Sequence, residues 1–156
     1  MSYVLYTDGG CAPNPGPGGW AFVLDQADGE RLESHGGEAE STNNRMELTA
    51  VIRGLETILV SGGDTRPAVE VVSDSQYVLK GLTEWMPGWK SNDWTRKVAG
   101  KRKPVLNIDL WQNLDGLAQQ ADVTVTWVRG HTGHPENERC DALVKAGIRE
   151  AGGDPA

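Results

Sequence analysis

The hydrophobic pattern of the chain begins with a short stretch at 3–7 that is rich in aromatic and β-branched residues, which is typical of a β-strand. Asp28-Gly29 is a strong signal for a tight hairpin turn, so we expect the strands around it to pair antiparallel. The stretch 13–19 is rich in proline and glycine and predicts a loop before the second strand. The pattern predicts strands at 3–7, 20–24 and 31–36, which would form a three-stranded meander.

The remainder of the chain alternates between helical and strand patterns. In 44–59 the apolar residues recur at helical spacing, with Asn43 or Asn44 as the expected N-cap. A helix over 75–85 is expected to break at Pro87-Gly88, because proline lacks the N–H that a helix interior needs. Further strands are predicted at 69–73 and 123–128, and further helices at 106–119 and 136–150.

The resulting element order, βββαβααβα, predicts an α/β fold with a mixed five-stranded sheet flanked by helices. We expect one domain over 1–150 and a loose C-terminal tail over 151–156. The chain has 156 residues and ordinary fractions of charged and hydrophobic residues, which favours a globular protein. It has no apolar run of membrane-spanning length and no signal-peptide pattern, so a cytoplasmic protein is expected. Nothing in the sequence demands more than a monomer.

Charge is distributed unevenly along the chain. The net charge is −7, which argues against indiscriminate phosphate binding by the whole surface. The segment 85–103 nevertheless carries a net charge of +5, whereas the rest of the chain carries −12. Contact with nucleic acid is therefore expected at this segment, which also contains Trp85, Trp89 and Trp94.

The predicted topology brings several chemically active residues to one edge of the sheet. Strands connected through helices tend to lie parallel, and sites in such sheets form at the carboxyl ends of the strands. Asp8 and Asp74 each follow a strand that ends at this edge, and Glu47 opens the helix that begins there. His131 lies in the loop after the last strand, and Asp141 lies early in the last helix. All five side chains are expected to converge.

Each residue alone also has an ordinary structural interpretation. Glu47 could close a capping box with Asn44, and Asp74 could cap the helix that follows it. Asp8 could be a satisfied polar group at a strand end. His131 could be a loop histidine without a catalytic role.

The acids taken together are harder to explain as structural groups. Glu47 and Asp141 each share a helical face with apolar residues, so their carboxylates are expected to point toward packed structure. Two carboxylates about 4 Å apart repel each other by roughly 4 kcal/mol at an effective dielectric constant of 20. Arg45 and Arg139 are the cationic residues beside these acids in sequence. A bound cation is therefore the simplest way to neutralise the cluster.

An all-oxygen cluster suits a hard ion such as Mg²⁺, with Mn²⁺ as a substitute, whereas zinc prefers histidine or cysteine. Two such ions about 3.5 to 4 Å apart can activate water and stabilise the leaving oxygen in phosphodiester hydrolysis. His131, in a loop beside the acids, would suit a proton carrier near neutral pH. His134 is expected to be structural because Pro135 follows it.

Four sequence blocks closely resemble the bacterial type I ribonuclease H family: TDGGCAPNPGPGGW, STNNRMEL, SDSQYV and WVRGHTGHPENERCDALV. The resemblance implies two-metal hydrolysis of the RNA strand of RNA/DNA hybrids, giving 3′-hydroxyl and 5′-phosphate ends. It implies that Asp8, Glu47, Asp74 and Asp141 hold the metal and that His131 is a proton shuttle that helps the product to leave.

The resemblance also implies contacts with the hybrid and with its DNA strand. The family's basic protrusion corresponds to 85–103, but here the expected basic run reads Lys90-Ser91-Asn92-Asp93, and its cations are shifted toward 96–103. This shift leaves the affinity for the hybrid and its salt sensitivity open. The alternative interpretation of the segment is a tryptophan-packed helical elbow with solvated lysines. The implied contact residues are Asn14, Thr42, Asn43, Asn44, Gln76, Trp85, Trp89, Lys90, Trp94, Arg96 and Lys97.

Three other functions share some of these features. A transposase or junction resolvase of the same fold would also gather acids at this edge, but would not carry the GHTGHPENERCD block and the protrusion. A hybrid-binding module without catalysis would be expected to lack one of the acids. A free-standing copy of a reverse transcriptase domain is disfavoured by the protrusion and the single-domain length.

Overall fold

The computed structural model describes residues 2–61, 66–130 and 133–155. Its centre is a mixed sheet of five strands in the spatial order β3-β2-β1-β4-β7, and two further strands form a separate hairpin. The strands are β1 (Ser2–Cys11), β2 (Gly16–Asp25), β3 (Arg31–Ser41), β4 (Ala68–Ser73), β5 (Thr95–Val98), β6 (Lys101–Pro104) and β7 (Asp122–Trp127).

The helices cover both faces and one end of this sheet. A π-helical turn, Gly81–Trp85, joins α2 directly to α3. The α-helices are α1 (Asn43–Ser61), α2 (Gln76–Lys80), α3 (Met86–Ser91), α4 (Ile108–Ala118) and α5 (Pro135–Glu150). None of the helices in the described part of the chain is long and apolar enough to cross a membrane.

The direction of the strands fixes where side chains meet. β1 and β2 pair antiparallel, as do β2 and β3, whereas β4 and β7 both run parallel to β1. Tyr6 in β1 is in register with Val72 in β4, so the residues two positions further along, Asp8 and Asp74, lie beside each other. The predicted edge of the sheet is therefore formed by the carboxyl ends of β1, β4 and β7.

The main core lies between the sheet and α1 and α4. Leu5, Phe22, Leu55, Leu114 and Trp111 are all buried there. A smaller cluster on the opposite face packs α5 against the sheet. The chain thus buries apolar side chains on both faces of the sheet, which holds the helices that carry acids in fixed positions.

The helix α5 lies unusually close to β2 and β3. A Cβ atom at Gly19 would lie 2.3 Å from the carbonyl oxygen of Val144, and one at Gly37 would lie 2.3 Å from that of Gly147. Side chains at these positions would push the helix away. The proline- and glycine-rich stretch predicted a loop as far as Gly19, but β2 begins at Gly16, because Gly18 and Gly19 pair with the end of β1.

The predicted helix break at Pro87-Gly88 is wrong. The helical path continues through the π-helical turn into α3, and Pro87 occupies its first turn, where a missing N–H is tolerated. The β5–β6 hairpin was also not predicted, because its strands are short and strongly charged. It turns at Ala99 and Gly100, whose φ angles are +52° and +78°.

The C-terminal tail was predicted to be loose, but its described residues pack against the domain. Gly152, with φ of +97°, ends α5, and its N–H bonds to the carbonyl of Arg149. The N–H of Gly153 bonds to the carbonyl of Ile148, which completes a Schellman motif. Pro155 is buried. The Ala-Gly-Gly sequence contained the signal for this ending.

Candidate active site

Four carboxylates line one cavity of about 390 Å³ at the carboxyl ends of the parallel strands. Asp8 lies in β1, and Asp74 lies one residue beyond β4. Glu47 extends from the second turn of α1, and Asp141 extends from α5. The structure therefore brings together all four acids that the connectivity was expected to collect.

Close packing between β1 and α1 positions two of these acids. A Cβ atom at Gly9 would lie 2.3 Å from the carbonyl carbon of Met46 and 2.5 Å from the backbone nitrogen of Glu47. Both neighbours are backbone atoms, so they cannot rotate away from a larger side chain. Glycine at this position allows the strand that carries Asp8 to touch the helix turn that carries Glu47.

The capping interpretations of Glu47 and Asp74 do not match the structure. Thr42 caps α1, since its hydroxyl accepts a hydrogen bond from the N–H of Arg45 at 3.2 Å. The expected caps Asn43 and Asn44 lie inside the helix. Ser75 caps α2, and its hydroxyl accepts from Val78 at 3.3 Å. Neighbouring residues thus fill both capping roles.

Burial and the charges of neighbouring acids raise the pKa values of Asp8 and Glu47. Desolvation, followed by the charge of Asp74, raises the pKa of Asp8 to about 7, although the N–H of Gly9 donates a hydrogen bond to its carboxylate at 3.0 Å. Burial, followed by the charge of Asp8, raises the pKa of Glu47 well above its usual value. Without a cation, the cavity therefore favours the protonated forms of Asp8 and Glu47.

Several features of the cavity suit a divalent metal. Asp8, Glu47 and Asp74 each offer an oxygen, and these oxygens lie within 4.8 Å of one another. Oε2 of Glu47 is buried and has no hydrogen-bond partner among the described residues. A buried polar atom without a partner is costly, and all the donors are oxygens, so the site fits a hard cation.

The two arginines beside these acids in sequence do not neutralise them. Arg45 forms a salt bridge with Asp109 of α4 at 2.8 Å. Arg139 pairs with Glu33 of β3 at 2.9 Å. Both arginines lie outside the cavity lining and are paired with acids elsewhere on the surface.

The predicted proton carrier, His131, lies outside the described residues. His134 has the structural role that was expected of it, because its Nδ1 accepts a hydrogen bond from the N–H of Asn137 at 3.4 Å and caps α5. His35 pairs with Glu150 at 2.7 Å, far from the acids in the β3–α5 contact.

Of the polar residues predicted to contact the hybrid, Asn43 lines the cavity. Asn14 accepts a hydrogen bond from the N–H of Asn43 at 3.0 Å, and Asn43 accepts one from the N–H of Cys11 at 2.8 Å. These bonds tie the β1–β2 turn to the start of α1 beside the acids. Asn44 is exposed in the first turn of α1, and Gln76 is exposed at the start of α2.

The predicted protrusion, residues 85–103, forms a separate lobe composed of α3 and the β5–β6 hairpin. Trp85 and Trp89 contact each other with ring centroids 5.9 Å apart, and Trp89 packs on the buried Trp111 at 5.2 Å. Trp85 is 38% exposed. The two tryptophans therefore anchor the lobe, while part of Trp85 remains available to a ligand.

The predicted contact residues of the lobe differ in their surroundings. Lys90 is engaged in a salt bridge with Asp115 of α4 at 3.2 Å. Trp94 is half-buried in a turn with φ of +58°. Arg96 and Lys97 lie exposed on β5, and Arg96 lines a groove of about 280 Å³ with Trp85.

Two polar residues that line the cavity, Asn137 and Lys145, were not predicted from the sequence. Asn137 is only 7% exposed and lines the cavity one turn before Asp141. Lys145 also lines it, and its Nζ lies 3.4 Å from Oδ2 of Asp141. The i,i+4 spacing of Asp141 and Lys145 on one helix was the available signal for this pair.

The fold and the cavity together define an α/β protein with an acidic site suited to divalent metal. The sequence model of the family described as RNase H matches residues 1–149. A Ribonuclease H of Thiobacillus denitrificans is 55% identical over 94% of this chain and 93% of its own length. One of Halorhodospira halophila is 54% identical over 93% of this chain and 91% of its own length. The chain belongs to the RNase H family.

Solved structures agree with this assignment. LC9-RNase H1, described as a type 1 RNase H with the type 2 active-site motif, superposes with a TM-score of 0.84 and 31% identity, covering 96% of this chain and 73% of that chain. LC11-RNase H1, solved in complex with an RNA/DNA hybrid, gives a TM-score of 0.71 and 28% identity, covering 96% and 98%. The predicted fold class and family are confirmed.

Proposed function

We propose that this chain is an endonuclease that hydrolyses the RNA strand of RNA/DNA hybrids with the aid of two Mg²⁺ ions. The observation that carries the proposal is the cavity in which Asp8, Glu47, Asp74 and Asp141 converge. The membership in the RNase H family and the similarity to LC11-RNase H1, which was solved with an RNA/DNA hybrid, support the substrate.

The four carboxylates would hold the metal. Mg²⁺ prefers oxygen ligands, which is the chemistry of this donor set, and Mn²⁺ would be a substitute. When bound, such ions supply activation of water and stabilisation of the leaving oxygen. Asp8 and Glu47 must lose their protons to become ligands, and their raised pKa values make that loss dependent on pH.

Residues around the cavity would position the hybrid. Asn14 and Asn43 brace the turn beside the acids, Thr42 and Asn44 lie at the start of α1, and Gln76 is exposed at the start of α2. Short polar side chains are suited to contacts with phosphates and with 2′-hydroxyls, and the 2′-hydroxyls distinguish an RNA strand from DNA. The products would carry 3′-hydroxyl and 5′-phosphate ends.

The protrusion would bind the DNA strand at a distance from the cleaved bond. Trp85, Trp89 and Trp94 would offer aromatic surface, and Arg96 and Lys97 would offer charge. Lys90 would have to leave its salt bridge with Asp115 to contribute. This lobe would add affinity without taking part in bond cleavage.

Three further expectations complete the proposal. His131 would carry a proton and help the product to leave. The protein would act in the cytoplasm. It would also act as a monomer, since one chain supplies all four acids.

A cleavage assay with labelled strands tests this function directly. RNA/DNA, RNA/RNA and DNA/DNA duplexes of one sequence are incubated with and without Mg²⁺, and the termini of the products are identified. We expect cleavage of the RNA strand of the hybrid, in the presence of Mg²⁺ only. Equal cleavage of the DNA duplex would refute the substrate, and binding of the hybrid without any cleavage would favour a hybrid-binding module.

A further inference from the structure

The cavity that holds the four acids also contains a positive charge from the chain itself. Among the described residues that line it, Lys145 is the one with a cationic side chain. Its Nζ lies 3.4 Å from Oδ2 of Asp141, one turn earlier on α5, and both side chains are about one third exposed. On an open helix surface such a pair would contribute little to stability.

Asp141 lies apart from the other three acids of the cavity. Asp8, Glu47 and Asp74 have oxygens within 4.8 Å of one another, and Asp141 is not part of that tight group. Its carboxylate is instead held by Lys145 on its own helix. A divalent ion that binds all four acids must therefore compete with Lys145 for Asp141.

We propose that Lys145 is an internal counter-cation of the acid cavity and sets the concentration of divalent metal that the site requires. This inference rests on the proposed metal-binding role of the four acids. Without metal, the ammonium group relieves part of the repulsion among the carboxylates. With metal, the same charge repels the ion and retains Asp141, so metal binds more weakly than the four acids alone would allow. Lys145 is thus a positioning residue for Asp141.

Isothermal titration calorimetry with Mg²⁺ and Mn²⁺ on the full chain, at about 50 mM salt, tests this inference. Lys145→Met removes the charge and keeps an unbranched side chain, and Lys145→Gln provides a second neutral variant. Lys145→Arg keeps the charge. Arg149→Met, one turn further along α5, is the matched control because it removes one positive charge outside the cavity lining.

We expect both neutral variants to bind metal about 3- to 10-fold more tightly than the parent protein, because a nearby unit charge no longer repels a divalent ion. Lys145→Arg and Arg149→Met should remain within about 2-fold of the parent. In EDTA, the neutral Lys145 variants should also unfold at a lower temperature than Arg149→Met, because the acids lose their counter-charge.

Unchanged or weaker metal binding by the neutral variants would overturn the inference. A higher KM for hybrid with an unchanged metal Kd would also overturn it, because Lys145 would then contact the substrate. If the parent protein bound no metal at all, the proposed metal site itself would fail. These results separate the role of Lys145 from the proposed function.

Discussion

The acid cavity and the protrusion, the two regions that we propose contact nucleic acid, are built in opposite ways. In the cavity, the buried carboxylates of Asp8 and Glu47 are held by a contact between β1 and α1 that leaves no room for a Cβ atom at Gly9. In the protrusion, cations lie on an exposed two-stranded hairpin that pairs with itself only. The comparison indicates that catalysis depends on exact placement, whereas affinity depends mainly on net charge.

The largest effect is expected inside the cavity, from Asp74→Asn. The substitution removes one proposed ligand charge and should lower kcat by at least about 10³-fold, as for other catalytic groups. The metal-free protein should be as stable as the parent or more stable, because repulsion in the cavity decreases. Steady-state kinetics and thermal unfolding in EDTA measure both quantities.

Asp28→Asn is the matched control, because Asp28 is exposed in the β2–β3 turn and an amide oxygen can still accept the hydrogen bond from Glu30. Its kcat should stay within about 2-fold of the parent. Normal turnover by Asp74→Asn would exclude Asp74 from the mechanism.

The next effect concerns the packing that places the acids. Gly9→Ala would force a Cβ atom against the backbone of α1 and should destabilise the protein by about 2 to 4 kcal/mol. Gly116→Ala, in α4 with no atom within 4 Å of the new Cβ, should instead stabilise it by up to about 1 kcal/mol. Urea unfolding compares the two, and equal stability would refute the tight contact at Gly9.

The third effect is a pH dependence of stability that we expect from the cavity. The pKa of Asp8 rises from 3.8 to about 7 on folding, and that of Glu47 also rises. The folded protein therefore holds more protons than the unfolded chain between about pH 4 and 7, so metal-free stability should fall as pH rises through this range. Saturating Mg²⁺ should weaken this dependence, since metal binds the deprotonated acids.

Unfolding in EDTA at several pH values measures the third effect. Asp8→Asn should flatten the profile. A parent profile that rises from pH 4 to 7 would contradict the predicted direction of the two pKa shifts.

The smallest effect is expected in the protrusion. The double substitution Arg96→Gln and Lys97→Gln removes two exposed charges of β5 and should raise KM for the hybrid by about 3- to 10-fold. The slope of log affinity against log salt should become shallower by about 1 to 2, and kcat and stability should stay nearly constant. Arg53→Gln on α1 is the control, and a changed kcat would contradict a role limited to affinity.

The sequence predicted the cavity better than the protrusion for a physical reason. The acids follow strands and open helices whose apolar periodicity is strong, so their convergence follows from topology. The protrusion depends on local features: Pro87 continues the helical path after a π-helical turn, and residues 93, 94 and 99 adopt positive φ. A π-helical turn has no reliable sequence signal. Positive φ angles have one only at glycine, and residues 93, 94 and 99 are not glycines.

The sequence also did not predict the N-cap of α1 or the place of Lys145 in the cavity. Asn43 and Asn44 are good N-caps in isolation, but Thr42 caps α1 because β3 ends at Ser41. The proposed role of Lys145 could not be predicted, because it depends on Asp141 lining a cavity that only the folded chain forms. Sequence patterns indicate faces of elements, not the contacts between them.

Diffraction from a crystal soaked in Mn²⁺ tests the central claim most directly, because anomalous scattering locates the ion without reference to activity. We predict a peak between the carboxylates of Asp8, Glu47 and Asp74, and no peak there in a Glu47→Gln crystal treated in the same way. A cavity without manganese, in a well-ordered crystal of the unsubstituted protein, would contradict the metal-dependent mechanism.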